Sequence, residues 1–176
     1  MNIKTILTIG VVVAIGGLIV FARASNDVSE TATVVAPDTA IYDQAKTDVI
    51  TVYKTEACGC CLNWVDHLEM NNLEVEVVNV ASTAPTREHF GVPPQLLSCH
   101  TGSINGYWVE GHVPADLVQK LITEKPADIR GISAPGMPAG SPGMEGPNPV
   151  QYDIVAYHAD GTTSVYATRQ GEEAVE

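Results

Sequence analysis

The sequence predicts an α/β fold made of a single domain. Strand-like and helix-like stretches alternate along residues 49–126, and a cysteine-rich turn separates the first strand from the first helix. A loop rich in Gly, Pro and Met follows, and the chain then returns to strand-like patterns around a turn signal. We therefore expect an α/β domain with an added C-terminal β-hairpin and a Gly/Pro/Met-rich loop.

The first half of the predicted domain is a strand–helix–strand–helix unit. Residues 49–53 are β-branched and aromatic, which is typical of a buried strand. The next helix ends near Asn71, and its apolar stripe at i, i+3, i+4 and i+7 consists of Cys61, Trp64, Val65 and Leu68. Apolar residues alternate with polar ones along residues 73–80, which predicts a second strand. A short helix is expected after Thr83 and ends before Gly91.

The next stretch predicts a loop, a strand pair and a helix. Two consecutive prolines in residues 92–94 favour an extended loop. Residues 104–110 indicate a strand pair or a bulged strand, with a turn at Asn105-Gly106. A helix is expected from Pro114 until Pro126 ends it. The apolar face of that helix consists of Leu117, Val118, Leu121 and Ile122.

The C-terminal part changes character twice. Residues 131–149 are so rich in Gly and Pro that they predict a long loop, and a long loop in a compact domain is usually functional or disordered. Residues 152–158 and 162–168 predict two strands of a hairpin around Asp160-Gly161. We expect residues 170–176 to form a solvated tail.

This order of elements is typical of a thioredoxin-like domain, which we expect to span residues 49–169. Cys58 and Cys61 form a Cys-x-x-Cys pair at the start of the first helix, where the helix N-terminus favours thiolates. Residues 103–106, followed by Glu110 and a helix, are similar to the third-strand region of glutaredoxins. In that superfamily a cis-proline faces the cysteine turn just before this strand, and here Cys99 and its neighbours replace it. If this alignment holds, Cys99 faces the other three cysteines.

The cysteine cluster points to metal binding or redox chemistry. The chain has four cysteines, which are Cys58, Cys60, Cys61 and Cys99. Thiolates are both strong nucleophiles and soft metal ligands. A pair of structural disulfides is the weaker alternative, because vicinal Cys60-Cys61 fits poorly with ordinary disulfide geometry.

The N-terminus predicts export. A weakly basic start, an apolar run over residues 6–21 and the small-x-small pattern Ala22-Arg23-Ala24 are typical of a signal peptide over residues 1–24. The alternative is an uncleaved N-terminal anchor, because the apolar run is near the lower limit for spanning a bilayer. Residues 25–48 are polar and aperiodic and predict a flexible linker. Both alternatives place the cysteines outside the cytoplasm, in an oxidising compartment if the source is a bacterium.

The charge of the chain argues against nucleic-acid binding. Its formal net charge is −12, which would repel a phosphate backbone. An acidic chain tolerates or attracts cations through its general field. A membrane contact is expected only through the N-terminal segment, if that segment is uncleaved.

Several long motifs in the same order resemble a known family. The matching stretches are residues 53–64, 92–94, 97–101, 110–114, 135–138 and 140–145. On these motifs the sequence resembles the periplasmic CopG copper-resistance proteins, which are thioredoxin-like and distinct from the DNA-binding repressor of the same name. The resemblance covers about residues 50–168. It implies copper binding outside the cytoplasm with Cys58, Cys60, Cys61 and Cys99 as metal-binding positions.

The residue types agree with Cu(I), because four soft thiolates suit it better than any hard cation. Thiolate sulfur can bridge, so the cluster could hold several copper ions. Zinc is the competing metal, since four cysteines also form structural tetrahedral sites, and an iron–sulfur centre is a further alternative. The candidate additional ligands are His100, His112, Met137 and Met144. We expect His67, His89 and His158 to be surface residues and Trp64 to pack against the sheet beneath the site.

Three functions remain open from the sequence. The first is a copper-binding protein of copper resistance that could also change the oxidation state of copper and could exchange it with other periplasmic copper-handling proteins. The second is a thiol–disulfide oxidoreductase that uses Cys58 and Cys61, against which stand the additional Cys60 and Cys99, since both would trap mixed disulfides. The third is a structural zinc or disulfide module that recruits a partner. The sequence assigns no turnover reaction.

Overall fold

The structure, a computed structural model, describes residues 41–42 and 46–175. It shows a mixed α/β domain with an eight-stranded sheet and, among these residues, three α-helices. The strands are β1 (Val49–Lys54), β2 (Glu74–Asn79), β3 (Thr101–Ile104), β4 (Tyr107–Glu110), β5 (Ile129–Ser133), β6 (Gln151–His158), β7 (Thr163–Gln170) and β8 (Glu173–Ala174). The helices are α1 (Gly59–Met70), α2 (Ala84–Phe90) and α3 (Ala115–Glu124).

The sheet places the N-terminal strands at one end and the C-terminal hairpin at the other. The strand order is β2-β1-β3-β4-β5-β6-β7-β8. Two pairs, β1 with β2 and β4 with β5, are parallel, and the other pairs are antiparallel. Each parallel pair is joined through a helix, α1 or α3, because parallel strands need a crossover connection.

The two faces of the sheet carry separate hydrophobic clusters. The larger cluster joins α1 and α3 to the sheet through buried residues such as Trp64, Leu121 and Val109. The smaller cluster contains Val92, Leu96 and Trp108. Because Trp108 and Val109 are consecutive residues of one strand, their side chains point to opposite faces. The larger cluster therefore fixes α1, and with it the cysteine turn, on one face.

Most of the predicted elements are confirmed, and the prediction for residues 131–149 needs correction. Residues 131–133 are the end of β5, which pairs in parallel with β4, and the loop begins only after Ser133. The sequence did not predict this strand, because Gly131 interrupts the pattern of β-branched and apolar residues that is typical of a strand. It is required there, since a Cβ atom at Gly131 would overlap the Trp108 ring.

Two other segments differ from the sequence prediction. Pro94–Leu96 form a short 3-10 helix within the stretch predicted to be an extended loop. The predicted tail, residues 170–176, is partly in the sheet, because Gln170 ends β7 and β8 pairs with it. A two-residue strand carries too few residues to show any period in the sequence.

The predictions for residues 1–24 and for most of residues 25–48 lie outside the described residues. Tyr42, which falls in the predicted linker, is buried and stacks on His89 with ring centroids 4.2 Å apart. Among residues 41–42 and 46–175, no helix is both long and apolar enough to cross a membrane.

Candidate metal centre

The four cysteines meet at the N-terminal end of α1. Cys58 is the N-cap residue of this helix, and Cys60 and Cys61 lie in its first turn. The Sγ atoms of Cys58 and Cys60 are 3.6 Å apart, and those of Cys61 and Cys99 are also 3.6 Å apart. All four Sγ atoms lie within 4.8 Å of one another. The sulfur atoms are therefore close enough to share one metal ion or a small cluster of ions.

The sheet explains why Cys99 reaches the other three cysteines. β3 runs antiparallel to β1, and Thr101 pairs with Tyr53. The segment that enters β3 therefore lies beside the segment that leaves β1, and these are the segments that carry Cys99 and the cysteine turn. The turn is closed by a hydrogen bond from the Cys58 amide to the Thr55 carbonyl, at 3.1 Å.

Two of the cysteines are joined in a disulfide. Cys58 and Cys61 form this bond, while Cys60 and Cys99 are free thiols. Disulfide sulfur is a much poorer metal ligand than a thiolate, because thiolate is the metal-binding form of cysteine. The structure thus represents an oxidised state, and a metal site with all four cysteines requires reduction of this bond.

Cys99 faces two histidines as well as the other cysteines. Its Sγ atom is 3.0 Å from His112 Nε2 and 3.3 Å from His100 Nδ1. His112 Nδ1 lies 2.7 Å from the carbonyl oxygen of Pro142, which can only accept, so Nδ1 carries the proton and Nε2 presents a lone pair to Cys99. Such an anchored imidazole has the geometry of a metal ligand oriented by its other nitrogen.

Burial keeps these groups in their neutral forms. The pKa of the Cys99 thiol is raised to about 11, first by burial and then by the nearby Cys60. Burial also lowers the pKa of His112 and, more strongly, that of His100, on which the neighbouring His112 acts in the same direction. The imidazoles are therefore neutral at pH 7 and available as acceptors or ligands.

His100 is enclosed beneath the site. It is fully buried and packs against the Trp64 ring with centroids 4.4 Å apart. Among the described residues, its Nε2 atom has no hydrogen-bond partner. The prediction that Trp64 packs beneath the site is confirmed, and its Nε1 also donates to the Val113 carbonyl at 2.8 Å.

The Gly/Pro/Met-rich loop lies over the cysteines. Gly143 packs so closely on α1 that a Cβ atom there would be 2.7 Å from the Cys60 carbonyl oxygen and 2.8 Å from the Trp64 amide nitrogen. Met137 is 55% exposed and, together with Cys99, lines a cavity of about 300 Å³. Met144 follows Gly143 and is half-buried. The loop thus brings Met137 to the Cys99 side, while no described contact joins the Met144 sulfur to a cysteine.

Sequence reasoning missed a buried ionic network behind Cys99. Glu110 is fully buried, and its carboxylate accepts hydrogen bonds from Arg87 Nε at 2.9 Å, from the Ser98 amide at 2.7 Å and from Thr101 Oγ1 at 2.6 Å. The pKa of Glu110 is raised by burial, and its hydrogen-bond donors oppose the shift. The only sequence signal was an acidic residue at the end of an otherwise apolar strand.

One of the three histidines predicted to lie at the surface is buried. His67 is only 8% exposed, and its Nε2 accepts a hydrogen bond from the Ala115 amide at 3.0 Å, at the start of α3. His89 is exposed, and half-buried His158 contacts Asp128. The prediction for His67 was wrong because the apolar stripe of α1 does not show that α3 begins beside it.

Comparisons with known proteins point to one group. A family model described as a protein of unknown function, DUF411, matches residues 96–144, which include Cys99 and both candidate histidines. A solved structure named copper resistance protein copG, form 1, is 42% identical and covers 72% of this chain and 100% of its own, with a TM-score of 0.66. Form 2 is also 42% identical with a TM-score of 0.66, and covers 70% of this chain and 99% of its own. No curated protein matches the chain.

Proposed function

Because this chain belongs to the family of CopG copper resistance proteins, we propose that it binds Cu(I) through Cys58, Cys60, Cys61 and Cys99 as part of copper resistance. The single observation that carries the proposal is the convergence of four Sγ atoms within 4.8 Å of one another. Soft thiolates favour Cu(I) over hard cations. Because thiolate sulfur can bridge two ions, the same four atoms also suit a cluster of several Cu(I) ions.

The proposal requires that copper binding follows reduction. The Cys58–Cys61 disulfide must first be opened by a dithiol, which takes up the bond as its own disulfide while both cysteines become thiols. The additional free thiols, Cys60 and Cys99, then complete the donor set. Oxidised chain should therefore hold fewer copper ions than reduced chain.

The proposal is tested by anaerobic loading of the reduced full chain with Cu(I), followed by desalting and quantification of metal and protein. We expect retention of two or more Cu(I) per chain in the unchanged protein. Cys99→Ala should lose most of this copper, whereas His89→Ala, at an exposed site outside the cluster, should keep it. If the unchanged chain retains no Cu(I), the proposal is wrong.

Zinc is the competing metal for four cysteines. The same reduced chain should be loaded with Zn(II) and then titrated with Cu(I). Release of the zinc and uptake of more than one Cu(I) per zinc would support a bridged copper cluster. Zinc that stays bound in the presence of Cu(I) would favour the structural zinc site instead.

Four further residues are candidate copper ligands, and the structural support for them differs. His112 is the best supported, because its Nε2 lies 3.0 Å from Cys99 Sγ and its other nitrogen is anchored. His100 is near Cys99 but enclosed. Met137 shares a cavity with Cys99, so its thioether suits copper entry, whereas Met144 is supported only by its loop. Removal of the His112 side chain should lower Cu(I) affinity the most, and removal of the Met144 side chain should lower it the least.

We propose that the domain is thioredoxin-like and acts in the periplasm. Support for the fold comes from the strand order β2-β1-β3-β4 and from the cysteine turn at the start of α1. β5 to β8 enlarge this core.

The proposed periplasmic location rests on the N-terminal sequence. Fractionation with N-terminal sequencing would test both export and cleavage after Ala24. Other periplasmic copper-handling proteins are the partners that this role implies.

The disulfide also favours a second candidate function, a thiol–disulfide oxidoreductase that uses Cys58 and Cys61. Cys61 Sγ lies 3.6 Å from Cys99 Sγ, so an internal thiol could compete for any mixed disulfide. Reduction of a disulfide substrate by the unchanged chain, lost in Cys58→Ser while copper tolerance persists, would support this alternative. A copper redox step, in which the Cys58 and Cys61 thiols reduce two Cu(II) to two Cu(I) and form the disulfide with release of two protons, would remove two of the four proposed donors. The disulfide must then be reduced again before all four cysteines can bind Cu(I).

A further inference from the structure

We propose that Glu110 is a positioning residue that holds Cys99 beside Cys61, because its carboxylate accepts hydrogen bonds from residues on both sides of Cys99. This inference rests on the proposed copper site, because its consequence is a shared four-thiol donor set. In the described part of the chain, the hydrogen bonds of the Glu110 carboxylate go to Arg87, Ser98 and Thr101 and not to a cysteine. It acts through Ser98 and Thr101, which flank Cys99 and His100 in the chain.

The carboxylate of Glu110 joins two points of the Cys99 segment. One oxygen accepts the Ser98 amide at 2.7 Å, and the other accepts the Thr101 hydroxyl at 2.6 Å. The next residue, Gly111, donates its amide to the His100 carbonyl at 3.0 Å. Glu110 thus accepts two hydrogen bonds and Gly111 donates one, and together they hold the residues on both sides of Cys99.

Arg87 forms further hydrogen bonds with Glu110 and with the segment that carries Cys99. Its Nε donates to Glu110 at 2.9 Å, while its Nη2 donates to the Ser98 carbonyl. Ser98 is thus held through both its amide and its carbonyl. Because Arg87 belongs to α2, the position of Cys99 also depends on a helix that lies outside the strands flanking the site.

A purely stabilising role explains this network poorly. Burying an ion pair has a large desolvation cost, and replacement by apolar side chains is often neutral or stabilising. The carboxylate instead matches two donors that an apolar side chain would leave unpaired. Residues that orient metal ligands through such contacts typically affect metal affinity by about 10-fold to 100-fold.

The first test is a double-mutant cycle with Cu(I) affinity as the readout. In the chain that keeps Cys99, Glu110→Gln should lower the Cu(I) affinity by about tenfold or more. In the Cys99→Ala chain, which has no Cys99 thiol to position, the same substitution should have little further effect. Equal losses in both backgrounds would show a general structural role, and no loss in either would show no role; both outcomes overturn the inference.

A second test needs no copper. In a Cys58→Ser/Cys60→Ser chain, Cys61 and Cys99 can form a disulfide, and its equilibrium constant against glutathione measures how well the two sulfurs are held together. Glu110→Gln should lower this constant several-fold, whereas Asp116→Asn, which weakens a carboxylate–arginine pair with Arg169 elsewhere in the domain, should leave it unchanged. An unchanged constant in Glu110→Gln overturns the inference.

The two readouts separate this inference from the proposed function. A chain that binds no Cu(I) refutes the copper proposal, and the disulfide equilibrium still decides the role of Glu110. If Glu110→Gln does not fold, Thr101→Val removes a single donor and should shift the same equilibrium in the same direction by a smaller factor. No shift in Thr101→Val would then overturn the inference.

Discussion

At the scale of single residues, the cysteine site depends on one glycine in the covering loop. Gly143 has a φ angle of +80°, and an added Cβ would be 2.7 Å from the Cys60 carbonyl oxygen. Both the left-handed backbone and the close approach exclude a side chain. The loop can therefore lie on the first turn of α1 only because this residue is glycine.

Substitution of this glycine is the first prediction. Gly143→Ala should destabilise the domain by about 1 to 3 kcal/mol, because it adds backbone strain and displaces the loop from α1. Urea unfolding measures the effect. Gly146→Ala in the same loop is the matched control, since a Cβ there meets nothing within 4 Å, and it should be nearly neutral. Equal stability of the two variants would show that the loop does not pack on α1.

The second prediction concerns His112 as an anchored ligand. His112→Ala removes a nitrogen that lies 3.0 Å from Cys99 Sγ, whereas His89→Ala removes an exposed ring. We expect His112→Ala to lower Cu(I) affinity by about tenfold, in the range typical of groups around a metal. His89→Ala should match the unchanged chain in a competition assay with a Cu(I) chelator. Equal affinities in all three proteins would remove His112 from the proposed ligand set.

At the scale of elements, a histidine on α1 forms a hydrogen bond with the N-terminal end of α3. His67 on α1 accepts the amide of Ala115, one of the first amides of α3 that have no partner within the helix. The third prediction is that His67→Ala lowers stability by about 1 kcal/mol, as loss of a helix cap typically does. Asp66→Ala, at the exposed neighbouring position, is the control. Thermal unfolding compares them, and an unchanged midpoint in His67→Ala would contradict this role.

The helices and strands predicted correctly from the sequence are those whose residue pattern lies within the element itself. The stripe of Trp64, Val65 and Leu68 shows α1 because each residue faces the same core. β5 was missed because Gly131 is required by the ring of Trp108, a residue far away in the sequence. Glu110 was missed for the same reason, since its donors come from α2 and from the segment before β3.

At the scale of the whole molecule, the sheet brings the candidate site together from distant parts of the chain. The cysteine turn follows β1, Cys99 precedes β3, and His112 follows β4, and these three strands are neighbours in the sheet. The cysteine cluster itself was visible in the sequence because three of its members lie within four residues. The closure of the site by the loop was not visible, because no periodic pattern marks where a loop packs.

Because the candidate ligands come from several elements, copper binding should stabilise the whole domain. A ligand that binds only the folded chain adds about 4 kcal/mol of stability at a free concentration a thousand times its dissociation constant. The fourth prediction is therefore that Cu(I) raises the unfolding temperature of the reduced chain, measured anaerobically. The chain with the Cys58–Cys61 disulfide intact should show a much smaller rise, because two of the four donors are blocked. An equal rise in both forms would mean that copper binds elsewhere, and Cys99→Ala in the reduced form would then show no loss of the effect.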